Sequence, residues 1–195
     1  MVSGLEAFVV STGAVALGEM GDKTQLMAML MAVRYRRPWT IIAGIFVAML
    51  ISHSAAAALG AGLTALLNPT WLRWGLGLGF IAVAAWMLKP EHDDDAPPTA
   101  RVLGPWGLFG LTMIMFLTAE LGDKSQIATL MLAARFDALA AVIAGAALGE
   151  MLAIVPAVLL GQRVLGRVPL IWVHRSAALV FAVLGVAVLS GLGGG

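Results

Sequence analysis

The chain has 195 residues, 61% of them hydrophobic and only 12% charged, with a mean hydropathy of +0.95. A charged share about half that of an ordinary soluble domain excludes a soluble globular protein of this size, which could not hide so much apolar surface. A net charge of +1 gives no reason to expect nucleic-acid binding, and the lack of cysteine excludes disulfides and thiolate metal sites.

The N-terminus has no basic region followed by a small-residue cleavage pattern, so it does not read as a removable signal peptide. Six apolar segments follow in chain order, at 5–33, 38–66, 70–89, 103–134, 138–162 and 171–191. A membrane span needs about 20 apolar residues, so the first, second and fourth are long enough to be tilted, broken or kinked. "RYRRP" separates the first two segments and Asn68–Pro69 the next two. The polar, Pro-rich stretch "KPEHDDDAPPTAR" between the third and fourth reads as a solvated linker. Its run Asp93, Asp94, Asp95 could attract a cation, but such runs are more often simply solvated.

The chain repeats itself. "EMGDKTQ" at Glu19–Gln25 recurs as "ELGDKSQ" at Glu120–Gln126, an offset of 101 residues. Without a gap, the same offset pairs Arg34 with Arg135, Gly44 with Gly145, Gly60 with Gly161, Trp71 with Trp172 and Phe80 with Phe181. This predicts duplication of a three-span unit: a first repeat over 1–90, a linker over 91–102 and a second repeat over 103–195. An odd number of spans inverts the second copy in the membrane. The loops after spans one, three and five carry Arg34, Arg36, Arg37, Lys89, Arg101, Arg163 and Arg167, against Arg73 and Arg135 on the other side. The positive-inside rule then puts the first set in the cytoplasm and both termini outside it. The predicted fold is an all-α polytopic membrane protein of six transmembrane helices in two inverted three-helix repeats, a transporter architecture with its site near the midplane.

Glu19 lies fourteen residues into the first segment, near the middle of the bilayer at about 1.5 Å per residue, and Glu120 is similarly deep. Each ionised group at that depth costs at least about 2.5–3.5 kcal/mol, so it must be paired, hydrated or metal-bound. On a continuous helix Glu19 and Asp22 would share a face, with Gln25 further along it and Lys23 four residues from Glu19 and able to pair with it. Gly21 and Gly122 either admit another backbone or break the helix, and a break frees carbonyls as ligands. Thr24 and Ser125 add hydroxyls.

If the two copies face each other, Glu19, Asp22, Glu120 and Asp123 converge, offset in part by Lys23 and Lys124. One divalent cation would neutralise the remainder, and so would two protons, which suggests exchange of the one for the other. The ligands would be oxygens, from the carboxylates and from Thr24, Gln25, Ser125 and Gln126, and oxygens suit Mn2+, Ca2+ or Mg2+. The other use of the same residues is a Glu–Lys and Asp–Lys network gluing two spans, which would make the chain a structural membrane subunit. An excess of carboxylates over lysines argues against glue.

Glu150, where the offset places Met49, is either an extra proton carrier or ligand, or a carboxyl kept neutral by burial. His53 is either a group that titrates near neutral pH or a hydrogen-bonded packing residue. Met27, Met29, Met31, Met113 and Met115 read as adaptable packing around the motifs. Trp71, Trp74 and Trp106 read as interfacial anchors. No H-E-x-x-H or serine–histidine pairing points to an enzyme, and no cofactor is expected.

The duplicated E-x-G-D-K-[TS] motif in a three-plus-three-span chain resembles the Golgi-type calcium/manganese–proton antiporter family, over nearly the whole chain. Bacterial members of this size look like manganese exporters. The resemblance implies exchange of a divalent cation for protons across the bacterial inner membrane, with lipid as surroundings and a homo-oligomer left open. It carries the motif acids over to Glu19, Asp22, Glu120 and Asp123, and the polar positions to Thr24, Gln25, Ser125 and Gln126. The runner-up is a Ca2+/H+ exchanger of the same architecture.

Overall fold

The computed structural model describes residues 4–89, 103–160 and 170–191. These form eight α-helices and, among the described residues, no strand. In chain order they are α1 (Gly4–Glu19), α2 (Lys23–Tyr35), α3 (Pro38–Leu66), α4 (Pro69–Met87), α5 (Pro105–Glu120), α6 (Lys124–Arg135), α7 (Leu139–Leu160) and α8 (Leu170–Leu189). Proline opens α3, α4 and α5, where the N–H it lacks would have had no partner in the helix. Asn68 caps α4 by accepting from the Thr70 N–H at 2.9 Å. Helix α2 stops at Arg36, which turns left-handed at φ 51° and returns its N–H to the Ala32 carbonyl.

The first and fourth apolar segments are each split in two at their heptapeptide, while the second is one unbroken helix of 29 residues. Among the described residues α3 and α7 are long and apolar enough to cross a membrane, and α5 with α6, meeting at 71°, form a third, broken span if taken together. The 91–102 linker with its aspartate run, and the loop holding Arg163 and Arg167, lie outside the described residues.

The two broken segments cross over. α1 and α2 pack on α7, α5 and α6 pack on α3, and α3 and α7 pack on each other. Glycine permits this approach. A Cβ added at Gly44 of α3 would lie 2.9 Å from the Phe109 carbonyl and from Thr112 Cβ of α5. A Cβ added at Gly145 of α7 would lie 2.5 Å from the Phe8 carbonyl and 3.1 Å from Ser11 Cβ of α1. Phe8 and Ser11 stand 101 residues before Phe109 and Thr112, so the same seat is built twice. α4 packs on α8, where Phe80 and Phe181, also 101 apart, stack with ring centroids 6.2 Å apart.

Two apolar cores result. One joins α4 and α8 to α1 and α6 around Phe80, Phe181 and Leu132. The other joins α3 and α7 to α2 and α5 around Ile41, Ile45, Phe116 and Ile154. Since α1 belongs to the first core and α2 to the second, the break between them falls where the two cores meet, and so does the break between α5 and α6. The buried acids Glu19, Asp22, Glu120 and Asp123, with Lys124, sit at those breaks.

Candidate cation site

The backbone comes first, because the acids lie at the breaks. Gly21 and Gly122 adopt φ of 82° and 77°, a left-handed conformation that a side chain would strain. That turn stops α1 at Glu19 and α5 at Glu120. The N–H of Asp22 then reaches back to the Glu19 carbonyl at 3.2 Å, and that of Asp123 to the Glu120 carbonyl at 3.1 Å. The next helices start at Lys23 and Lys124, so both aspartates occupy N-cap positions. Four helix ends therefore meet the carboxylates. The N-termini of α2 and α6 carry the positive ends of their dipoles, which favour negative charge.

Side chains then tie each turn. The Gln25 carbonyl oxygen accepts from the Gly21 N–H at 2.8 Å, and the Gln126 oxygen from the Gly122 N–H at 2.9 Å. Gln25 donates its amide to the Ala153 carbonyl of α7 at 2.6 Å, and Gln126 donates to Ser52 Oγ of α3 at 3.1 Å. Ala153 and Ser52 are themselves 101 residues apart. The Thr24 hydroxyl lies 3.1 Å from Glu19 Oε2 and 3.3 Å from Asp22 Oδ2. The Ser125 hydroxyl lies 3.1 Å from Glu120 Oε2 and 3.4 Å from Asp123 Oδ2. Each hydroxyl thus bridges its two acids, and each glutamine amide fixes its turn to the facing long helix.

Carboxylate oxygens of Glu19, Glu120 and Asp123 all come within 4.8 Å of one another, and all three residues are buried. Among the described residues no N–H or hydroxyl donates to Glu19 Oε1 or Glu120 Oε1. An acid left bare in an apolar interior costs several kcal/mol unless it is protonated or meets a cation, so these oxygens are suited to either. The ligand atoms that Glu19, Glu120 and Asp123 offer, and the hydroxyls of Thr24 and Ser125 beside them, are oxygens, the preference of hard divalent ions.

Two expectations need correction. Lys23 does not pair with Glu19: the break destroys the i,i+4 relation, and Lys23 is exposed at the start of α2. Asp22 does not join the other three acids on equal terms, because Lys124 Nζ lies 2.5 Å from its Oδ1. The charge balance shifts accordingly. Among the described residues five buried acids, Glu150 included, accompany one buried lysine, an excess larger than one divalent ion can neutralise.

Glu150 is fully buried in α7 and lies beside Glu120, within reach of a hydrogen bond between the two carboxyl groups. His53 of α3 is its partner, with Nε2 2.7 Å from Glu150 Oε2. Thr129, Ser52 and His174 were not singled out from sequence. Thr129 contacts His53 Nδ1 at 3.0 Å, and His174 of α8 meets the Met20 carbonyl at 3.0 Å, one of the carbonyls freed by the first break. The only sequence signal for Thr129 is that the offset sets it opposite Ala28. Met29 and Met31 are core residues, and Trp71, Trp74 and Trp106 are exposed.

The family model of the divalent cation/proton antiporter GDT1 matches residues 7–95 and 108–192. The chain belongs to the GDT1 family. It is thus a membrane-embedded divalent cation/proton antiporter, and both heptapeptides fall inside the matched stretches. A protein of Vibrio cholerae serotype O1 named "Putative manganese exporter" is 41% identical over 184 residues, spanning 94% of this GDT1 chain and 90% of its own. A "GDT1-like protein" of Synechocystis is 30% identical over 182 residues, spanning 84% and 87%. No solved structure matches the chain.

Proposed function

We propose that this GDT1 antiporter exports Mn2+ from the cytoplasm in exchange for protons, and that Glu19, Glu120 and Asp123 hold the ion. The observation that carries the reading is the convergence of those three buried carboxylates within 4.8 Å at two facing helix breaks. Thr24, Ser125, Gln25 and Gln126 shape the turns and add oxygens, while Asp22 and Lys124 balance charge beside them. Exchange follows from the excess of acid. Without the ion the carboxyl groups must take up protons, and with it they must release them, because the apolar surroundings tolerate neither bare state. The name of the Vibrio relative favours manganese, and the all-oxygen donor set is compatible with it.

In this reading the chain is a transporter rather than an enzyme, and it crosses the bacterial inner membrane six times as two inverted three-helix repeats, 1–90 and 103–195, joined by the 91–102 linker. Both termini lie outside the cytoplasm. The twice-built contacts at Gly44 and Gly145, and the stacking of Phe80 on Phe181, support a pseudo-twofold relation between the repeats.

The test is transport in proteoliposomes, following Mn2+ entry and a pH-sensitive dye together. Glu19→Gln and Asp123→Asn should each abolish metal-driven proton movement. Full exchange in both would overturn the site. Calcium competing away manganese flux at equal concentration would move the assignment to a Ca2+/H+ exchanger.

A further inference from the structure

One polar chain in the interior has no counterpart in the other half. It runs from Thr129 on α6 through His53 on α3 to Glu150 on α7. When Glu150 is ionised, as a ligand to a cation must be, it only accepts, and His53 Nε2 then carries the hydrogen given to Glu150 Oε2. In a neutral ring Nδ1 is then the acceptor, and it takes the Thr129 hydroxyl proton. One neutral tautomer satisfies both contacts and locks the ring. All three residues are fully buried.

The offset of 101 pairs Thr129 with Ala28, His53 with Ile154 and Glu150 with Met49. All three counterparts are buried, and all three belong to one apolar core. The fold therefore fills one of these places with hydrocarbon and the other with a hydrogen-bonded acid. Packing does not require the acid. Burying a carboxyl is costly, and here one oxygen is held by His53 while the other, Oε1, meets no donor among the described residues apart from the neighbouring carboxyl of Glu120. That carboxyl lies beside the Glu120 carboxyl, close enough for the two to hydrogen-bond when one of them carries a proton. On the other side of the cluster, Lys124 has taken Asp22.

We propose that Glu150 supplies a further carboxylate oxygen to the transported cation from outside the heptapeptides, and that His53 is the positioning residue that aims it. This rests on the cation site proposed above. With one oxygen each, Glu19, Glu120 and Asp123 give a divalent ion fewer oxygens than the six or more it prefers. Glu150 adds a hard anionic donor from α7, in compensation for the aspartate held by lysine. It also makes the coordination one-sided, since no acid stands at the position of Met49.

The test is Mn2+ titration calorimetry on the full chain in nanodiscs. Glu150→Gln, nearly isosteric, should weaken binding about 10–100-fold, and His53→Leu should do the same, the size of effect seen when supports of metal ligands are removed. His53→Gln can still donate to Glu150 and accept from Thr129, and should restore most of the affinity. The triple change Thr129→Ala, His53→Ile, Glu150→Met copies the packing already used in the other half. It should keep its melting temperature without metal and still bind at least about 10-fold more weakly. Wild-type affinity in Glu150→Gln and in the triple variant, with binding lost in Glu120→Gln, would overturn this inference and leave the three-acid site intact. Failure of the wild type to bind Mn2+ or Ca2+ would overturn both.

Discussion

The two halves of the molecule agree in how they bend and disagree in how they are charged. Each breaks its helix at a left-handed glycine, ties the break with a glutamine, bridges two acids with a hydroxyl and seats the result on a glycine of the opposite long helix. The lysines that follow the two aspartates part company. Lys124 is buried on Asp22, whereas Lys23 is exposed. Helix packing differs in the same sense: α1 packs against α6, but no comparable contact joins α2 to α5. The shared features shape backbone, and the unshared ones set the charge around each break. In the proposed reading, duplication supplies the scaffold of the site and local divergence supplies its electrostatics.

The largest test of that contrast is the lysine pair. Lys124→Met strips the buried Asp22 carboxylate of its cation and should cost about 3–5 kcal/mol, read as thermal unfolding in detergent without divalent metal. Lys23→Met, at the matching position, should leave the melting temperature unchanged. Equal losses would mean that the halves are electrostatically alike. Next come the glutamates that both halves share. Glu19→Gln and Glu120→Gln should each reduce Mn2+-driven proton flux by at least about 100-fold, beyond the 10–100-fold typical of outer residues around a metal. A large loss in one and none in the other would break the similarity where it is expected to be closest.

The glycine seats sharpen the comparison on the scaffold side. Gly145→Ala and Gly44→Ala push a methyl toward a backbone carbonyl at 2.5 Å and 2.9 Å, and each should destabilise by about 1–3 kcal/mol, with the first the larger. Smallest are the bridging hydroxyls. Thr24→Val and Ser125→Ala each remove hydrogen bonds to buried acids and should cost about 1–3 kcal/mol or less, with similar losses of flux in the two halves.

Much of this was legible in the sequence. The offset of 101 paired the two heptapeptides at which the helices turn out to break, and a charged heptapeptide deep in an apolar run made each a candidate site. The glycine inside each motif allowed either a close approach or a break, and only the backbone decided for the break. That decision undid the helical arithmetic which had paired Lys23 with Glu19. Nothing in "GDKT" or "GDKS" says which lysine will be buried, because burial depends on which helices pack across the middle, a property of tertiary arrangement. Glu150 and His53 were both noticed, each with two readings, but 97 residues separate them and no periodicity brings them together. Thr129 went unnoticed because a threonine opposite an alanine is an unremarkable mismatch until His53 is placed beside it.

The Thr129–His53–Glu150 chain has a bearing on ancestry. A pair of identical half-length subunits would carry every substitution twice: a histidine gained at one place would appear at its image, where the partner's apolar packing would have to absorb it. Fusing the copies into one polypeptide lifts that constraint. If the halves arose by duplication, as proposed above, the hydrocarbon version at Ala28, Ile154 and Met49 stands beside the polar one as a record of how far the two copies have since specialised.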